Sequence, residues 1–141
     1  MVTLTVITGP PCSGKTTYAR QHAKPGDIII DFDQIAQALG SPVTHGHDRP
    51  IWKVTIEARA AAIKAAVRQH QQGATAWIID SQPTTQTRHA YQQAGARIID
   101  LTATREELHR RAAQDRPPSW HARIDQFIDG TDPQPRTVTR W

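Results

Sequence analysis

"ITGPPCSGKTTYAR", Ile7 to Arg20, runs from an apolar stretch through a turn of glycine, proline and serine into helix-forming sequence. Within it Gly9-Pro10-Pro11-Cys12-Ser13-Gly14-Lys15-Thr16 has the spacing Gly-x4-Gly-Lys-Thr, with Thr17 directly behind. That spacing builds a phosphate-binding loop when it follows a buried strand and opens a helix, and both flanks fit. Successive main-chain N–H groups of such a loop converge on one point, where the helix N-terminus adds partial positive charge and Gly14 allows close approach. Lys15 then reaches the outer phosphates, while the Thr16 hydroxyl suits Mg²⁺. Cys12 falls at a variable position and reads as a small neutral residue.

Working outward, the apolar runs Val2–Thr8, Ile28–Asp31, Ala76–Asp80 and Arg97–Leu101 are nearly continuous rather than alternating, and helix-like sequence separates them. Continuous runs suit strands covered on both faces, and their alternation with helices suits a parallel sheet. The expected class is therefore α/β, a three-layer P-loop NTPase fold with a sheet of about five strands, the last at Thr137–Trp141. In "PIWKVTIEARAAAIKAAVRQHQQG" the residues Ile56, Ala60, Ile63 and Val67 recur at helical spacing, and Gly73 supplies the stop. In "TATREELHRRAAQDRPP" Thr104 and Glu107 form a capping box, and Pro117–Pro118 end the helix by Arg116. A last helix from Ser119 puts Trp120, Ile124, Phe127 and Ile128 on one stripe. Trp52, Trp77 and Trp120 read as core. The stretch "GSPVTHGHDRPIW" from Gly40 has no period, and its length suits a substrate-touching loop carrying His45, His47 and Arg49. Two histidines one residue apart without a third ligand fit loop surface better than a metal site.

A length of 141 residues suits one domain, residues 1–141. Apolar residues make up 38%, so the core rests on the few dense Ile/Val/Trp runs. No apolar run is long enough to cross a membrane, no leader pattern precedes "VTLTVIT", and a single cysteine suits a reducing compartment. The expectation is a cytoplasmic protein without a membrane partner, of open oligomeric state. A net charge of +4 suits a polyanionic partner such as nucleotide or nucleic acid, and equally a solubilising surface.

Triphosphate binding leaves phosphoryl transfer and mere hydrolysis as alternatives. "IIIDFDQIAQAL" ends its strand with Asp31 and Asp33, whose alternation puts both carboxylates on one side at the edge where α/β sites form. A carboxylate there accepts the proton of an attacking hydroxyl; Asp33 also opens a helix, so an N-cap is the competing role. Asp80 closes "AWIID" in the manner of a Walker B strand, to order Mg²⁺ or contact the acceptor, and Asp100 at the end of "RIID" competes for the metal.

"GPPCSGKTTYAR" followed by "DFD" resembles the kinase domain of bacteriophage-type polynucleotide kinases, AAA-type phage kinases, and more loosely the zeta-toxin group of small P-loop kinases. The resemblance implies that Asp33 is the general base. It extends to "IIDSQPTTQTR", implying an acceptor or metal role for Asp80 and an acceptor role for Arg88. It also extends to "REELHRRAAQDRP", implying a lid helix that carries Arg111 and Arg116 over the phosphates, with Arg110 left to solvent. Ala36 departs from the arginine those kinases carry three residues beyond the base. The implied activity is an ATP- or GTP- and Mg²⁺-dependent kinase acting on a hydroxyl of a nucleic acid or nucleotide: a 5′-end, a nucleotide, or a hydroxymethylated base in modified DNA. The alternatives are a small-molecule kinase for a sugar, antibiotic or nucleotide sugar, and a nucleotide-dependent switch or ATPase.

Overall fold

The computed structural model describes residues 1–131. Its elements run β1 (Leu4–Thr8), α1 (Lys15–His22), β2 (Ile28–Ile30), α2 (Phe32–Ala38), α3 (Arg49–Gln71), β3 (Ala76–Ile79), α4 (Thr85–Gln93), β4 (Arg97–Asp100), α5 (Arg105–Asp115) and α6 (Trp120–Asp129). The strands form a four-stranded sheet in the order β2-β3-β1-β4, and every pairing is parallel. Val6 lies between Ile78 and Ile98, and Ile30 lies beside Ile78. The expected fifth strand at Thr137–Trp141 lies outside the described residues.

Alternation along the two inner strands sorts the core into layers. Leu4, Val6, Ala76 and Ile78 point to one face, where Ile63, Ala66 and Val67 of α3 and Tyr91 of α4 cover them. Ile7, Trp77 and Ile79 point to the other, where Ala19 of α1 packs. β1 and β3 are buried throughout, whereas β2 and β4 are only partly covered because each has a single neighbouring strand among the described residues. A third cluster joins Leu108 and Ala112 of α5 to Ile124 of α6, with Cys12 of the loop packed against it. This anchors the α5–α6 pair beside the β1–α1 turn.

Several sequence expectations shift in detail. The buried stripe of α3 is Thr55, Arg59, Ile63, Ala66 and Val67, so Ile56 and Ala60 flank it. Ile128 is exposed, while Ile124 alone of its helix is fully buried. Trp77 is core, but Trp52 and Trp120 line an open cleft. The Thr104 cap forms as expected, its hydroxyl accepting from the Glu107 N–H at 3.1 Å, and the helix stops at Arg116.

Ile78, fully buried on an inner strand, tests the sheet. Ile78→Ala should cost roughly 2–5 kcal/mol in urea unfolding. Ile128→Ala on the exposed side of α6 should stay within about 0.5 kcal/mol.

Candidate active site

The order β2-β3-β1-β4 reverses direction about β1, and in parallel α/β sheets the carboxyl ends of strands at such a point form the binding crevice. The loop after β1 occupies that place. Its backbone is left-handed at Gly9 (φ 143°), Cys12 (φ 66°) and Gly14 (φ 90°), which curls the chain around a central point. Gly9 has a further reason to lack a side chain, since a Cβ there would lie 2.6 Å from the Leu101 carbonyl oxygen and 2.7 Å from Ser13 Oγ.

Lys15 folds back into the loop, its Nζ donating to the carbonyl oxygens of Gly9 at 2.9 Å and Pro10 at 2.8 Å. Burial, helped by the nearby Arg116 charge, pushes this ammonium down to about 8, against the pull of Asp31 and Asp33. Ser13 Oγ is buried with no hydrogen-bond partner in the same loop. A half-satisfied cation and an orphaned hydroxyl inside a curled backbone fit an anion, and three residues in the left-handed region leave room for its oxygens. Burial pushes the Cys12 thiol up, in keeping with a neutral residue packed under α5 and α6.

A cleft of about 500 Å³ opens from this loop. Pro11, Cys12, Gly14, Lys15, Thr16 and Thr17 line one side; Asp31, Asp33 and Asp80 line the floor. Asp31 follows β2 immediately and caps α2, Oδ1 accepting from the Asp33 N–H at 3.0 Å while Oδ2 accepts from the Thr16 hydroxyl at 2.8 Å. The capping role weighed for Asp33 therefore belongs to Asp31. Because β2 ends at Ile30, the two carboxylates are not strand neighbours on one face. The first turn of α2 aims Asp31 at Thr16 and Asp33 at the loop that follows Gly40.

Asp33 is held there by histidines on both oxygens: His47 Nε2 at 2.6 Å from Oδ1 and His45 Nδ1 at 3.1 Å from Oδ2. Burial works against its charge, yet these bonds hold its carboxyl below the usual value. Asp80, just beyond β3, accepts from the Tyr91 hydroxyl at 2.9 Å and lies 3.6 Å from Arg59 Nη2. Arg59 is itself buried and donates to the Ile79 carbonyl at 2.8 Å. Burial and the Asp80 charge push the Tyr91 hydroxyl far up, so it stays a donor.

Other expected residues sit apart. Asp100 is tied to Arg88 at 2.8 Å and to the Thr8 hydroxyl, and this group lines a separate small pocket of about 220 Å³. Arg88 first and then Thr8 hold the Asp100 carboxyl below its ordinary value. Between the carboxylates considered for a metal, Asp80 thus lines the main cleft with Thr16 and Asp100 does not. Arg49 begins α3 as an exposed residue outside the cleft lining. Arg111 reaches the loop from outside, Nη1 donating to the Cys12 carbonyl at 2.9 Å and Nε to Glu107 at 2.9 Å. Arg116 does line the cleft, its Nε buried without a partner and its guanidinium 5.6 Å from the Trp120 ring. Arg110 pairs with Glu107 in solvent. Thr16 and Asp80 offer oxygen ligands in one cleft, the set Mg²⁺ takes when phosphates and water complete its shell. Among the described residues no three His, Cys, Asp or Glu side chains gather as a metal cluster.

Sequence reasoning missed Arg59, Arg123, Trp52 and Trp120 as cleft residues. Arg59 had a signal: a charged residue four after Thr55 and four before Ile63 on one helical stripe. Arg123, 4.5 Å over the Trp120 ring, had one too, since the two stand three residues apart on α6; what the sequence does not carry is that this face of α6 turns to the cleft.

Gly9→Ala should lower stability by roughly 1–3 kcal/mol in a thermal melt, since its Cβ meets backbone and its φ strains. Nucleotide binding restores the Lys15 charge partner. Above about pH 8, where the free lysine loses its proton, binding should therefore take one up, and affinity should fall roughly tenfold per pH unit. Calorimetry in buffers of different ionisation enthalpy reads this directly. Lys15→Met should remove the pH dependence along with most of the affinity.

Comparison with known proteins follows the same line. Residues 6–123 match a family model described as "AAA domain". No curated protein matches the sequence. Among solved structures, a chain of the Pnkp1/Rnl/Hen1 RNA repair complex superposes with a TM-score of 0.64 at 14% identity, over 98% of this chain and 49% of that one. A second structure of the Pnkp1/Rnl/Hen1 complex gives 0.57 at 14% identity, over 77% of this chain and 38% of that one. The Deinococcus radiodurans tunicamycin resistance protein gives 0.51 at 19% identity, over 95% of this chain and 84% of that one. This chain thus spans less than half of the two repair-complex chains, and the likeness at such identities is one of fold. With the loop, the sheet order and the family match together, the chain is a P-loop domain belonging to the AAA domain family.

Proposed function

We propose that the protein is a Mg²⁺-dependent phosphotransferase that moves the γ-phosphoryl group of a nucleoside triphosphate to a hydroxyl of a nucleic acid or nucleotide. The observation that carries this reading is a carboxylate, Asp33, in the same cleft as Lys15 and Thr16 and kept ionised by hydrogen bonds from two histidines. A carboxylate so held would take the proton of an alcohol acceptor as its oxygen attacks. Water attacking phosphorus gives up a proton in the same way, so the acceptor-dependence of transfer is what separates a kinase from a hydrolytic switch.

In this reading Lys15 exchanges the Gly9 and Pro10 carbonyls for the outer phosphates, and the N–H groups of the curled loop and the start of α1 hold the rest. Thr16 and Asp80 would hold Mg²⁺, which neutralises phosphate charge when bound. Asp33 takes the acceptor proton as the new O–P bond forms and the β–γ bridging bond breaks, its electron pair staying on the β-phosphate. Arg116, with Nε lacking a partner, stabilises charge on the moving phosphoryl group. Arg111 acts on the loop itself by holding the Cys12 carbonyl. The acceptor wall of Phe32, Trp52 and Trp120, with Arg123 stacked on Trp120, suits a heterocyclic base beside an anionic backbone. That wall favours a nucleotide or nucleic acid over a bare sugar. The fold likeness to a tunicamycin resistance protein makes an antibiotic the second acceptor class worth assaying.

The test is transfer from γ-labelled ATP or GTP with Mg²⁺ to 5′-hydroxyl DNA and RNA, hydroxymethylated DNA, nucleosides, sugars and antibiotics. Label should move to a nucleic acid or nucleotide. Asp33→Asn should lower kcat by roughly 10²–10⁴-fold while nucleotide affinity changes less than about twofold. Arg116→Ala should lower kcat by roughly 10²–10³-fold. Label reaching only water, at a rate Asp33→Asn leaves untouched, would end the kinase reading.

A further inference from the structure

Both carboxylate oxygens of Asp33 are already engaged, one by His47 and one by His45. Each oxygen keeps a second lone pair, and a base must turn one of these toward the incoming hydroxyl to take its proton. The two histidines are not equivalent. His47 is nearly inaccessible, its side chain 2% exposed, with Nε2 2.6 Å from Oδ1 and Nδ1 2.6 Å from Ser41 Oγ. Ser41 is itself buried, so a chain Asp33–His47–Ser41 runs inward, and the Phe32 ring lies 6.1 Å from the His47 ring. His45 makes the longer contact, 3.1 Å from Oδ2, is more exposed at 17%, and sets its ring edge-on to Trp120 of α6 at 5.5 Å.

We propose that His47 is the positioning residue of Asp33, fixing the carboxylate through Oδ1, and that His45 occupies Oδ2 only until the acceptor hydroxyl displaces it. The proposal rests on Asp33 being the base. A neutral imidazole meets the geometry in one tautomer: Nε2–H donates to the carboxylate while Nδ1, at 2.6 Å, takes the Ser41 hydroxyl proton in preference to the Val43 carbonyl 3.3 Å from the same oxygen. That arrangement fixes which way the remaining lone pairs of Asp33 point, as an orienting partner does for a ligating or basic side chain. During transfer the acceptor O–H proton passes to Oδ2, the acceptor oxygen bonds to phosphorus, and the nucleoside diphosphate leaves with the bridging oxygen. Oδ1 keeps its bond to His47 throughout. Because His45 competes with the acceptor for Oδ2, the resting protein is only fractionally ready to bind, and removing the competitor tightens apparent acceptor binding. His45 and His47 therefore act with opposite signs. A loop whose histidines merely buttressed the fold would give both substitutions the same sign.

Two measurements on the whole chain decide it. In ¹⁵N-histidine NMR of the protein alone, His47 should be the Nε2–H tautomer, with that proton shifted downfield and protected from solvent exchange, and Asp33→Ala should abolish the protection. A rapidly exchanging His47 ring, or one protonated on Nδ1 alone, would overturn the positioning role. In the transfer assay with 5′-hydroxyl DNA, hydroxymethylated DNA and a nucleoside as probes, His47→Met matches volume without a donor and should lower kcat by roughly 10²-fold. His47→Gln, whose amide N–H reaches the place of Nε2–H, should recover roughly tenfold of that loss, with KM for ATP within about twofold of wild type in both. His45→Ala should lower the acceptor KM several-fold. Equal effects of Met and Gln, or a raised acceptor KM in His45→Ala, would overturn the proposal. Transfer that survives Asp33→Asn, or wild-type protein that labels none of these probes, counts against the functional reading instead, and the NMR result still decides the positioning.

Discussion

The Lys15 ammonium, folded back onto the carbonyl oxygens of Gly9 and Pro10, is the contact on which the cleft depends. It ties the first residue of α1 to the end of β1 and so closes the loop into a ring around its own N–H groups. A cation so enclosed is poorly solvated, and two neutral carbonyls return only part of what water gave it. The structure therefore stores an affinity for anions in the loop. Everything else in the cleft is arranged about that point: Thr16 one residue on, Asp31 bonded to Thr16, Asp33 two residues further in the first turn of α2, and Asp80 at the end of the neighbouring strand.

The α5–α6 pair supplies the other half of the enclosure. Leu108, Ala112 and Ile124 form a small cluster separate from the two sheet cores, and Cys12 is the loop residue it touches. Few apolar groups bind this pair to the rest, so it is the part of the molecule best able to shift as a unit. Arg111 on the Cys12 carbonyl and Arg116 at the cleft edge would move with it. The α6 residues Trp120 and Arg123, stacked on each other, travel on the same unit. Loop, Arg116 and the Trp120–Arg123 pair are thus coupled through a small piece of packing, which is what the proposed reaction would need of a lid.

Much of this was legible in the chain. Continuous β-branched runs separated by helical sequence gave the parallel layers, and the Gly-x4-Gly-Lys-Thr spacing gave the loop, because strand burial and tight turns restrict local sequence strongly. The Thr104 cap was equally local, though the Glu107 carboxylate turns to Arg110 and Arg111 and does not complete the expected box. What escaped was set by tertiary placement. A shift of β2 by one residue moved Asp31 off the strand and made it the cap, freeing Asp33. His45 and His47 read as surface because their partner lies twelve and fourteen residues away, across a segment with no periodicity. Arg88 matched a resemblance in spacing, yet Asp100 on the adjoining strand captures it in another pocket. Trp52 and Trp120 read as core because hydrophobic size alone does not tell a covered face from a cleft wall.

In the proposed reaction the ring closed by Lys15 delivers a terminal phosphate to the neighbourhood of Asp33. The most direct measurement is a crystal structure of the whole chain with Mg²⁺ and a non-hydrolysable triphosphate analogue. In that complex Lys15 Nζ should have left the Gly9 and Pro10 carbonyls for the outer phosphates, with the Asp33 carboxylate facing the γ-phosphorus across open cleft. A nucleotide bound elsewhere while Lys15 keeps its two carbonyls, or a γ-phosphate walled off from Asp33 by protein, would contradict it.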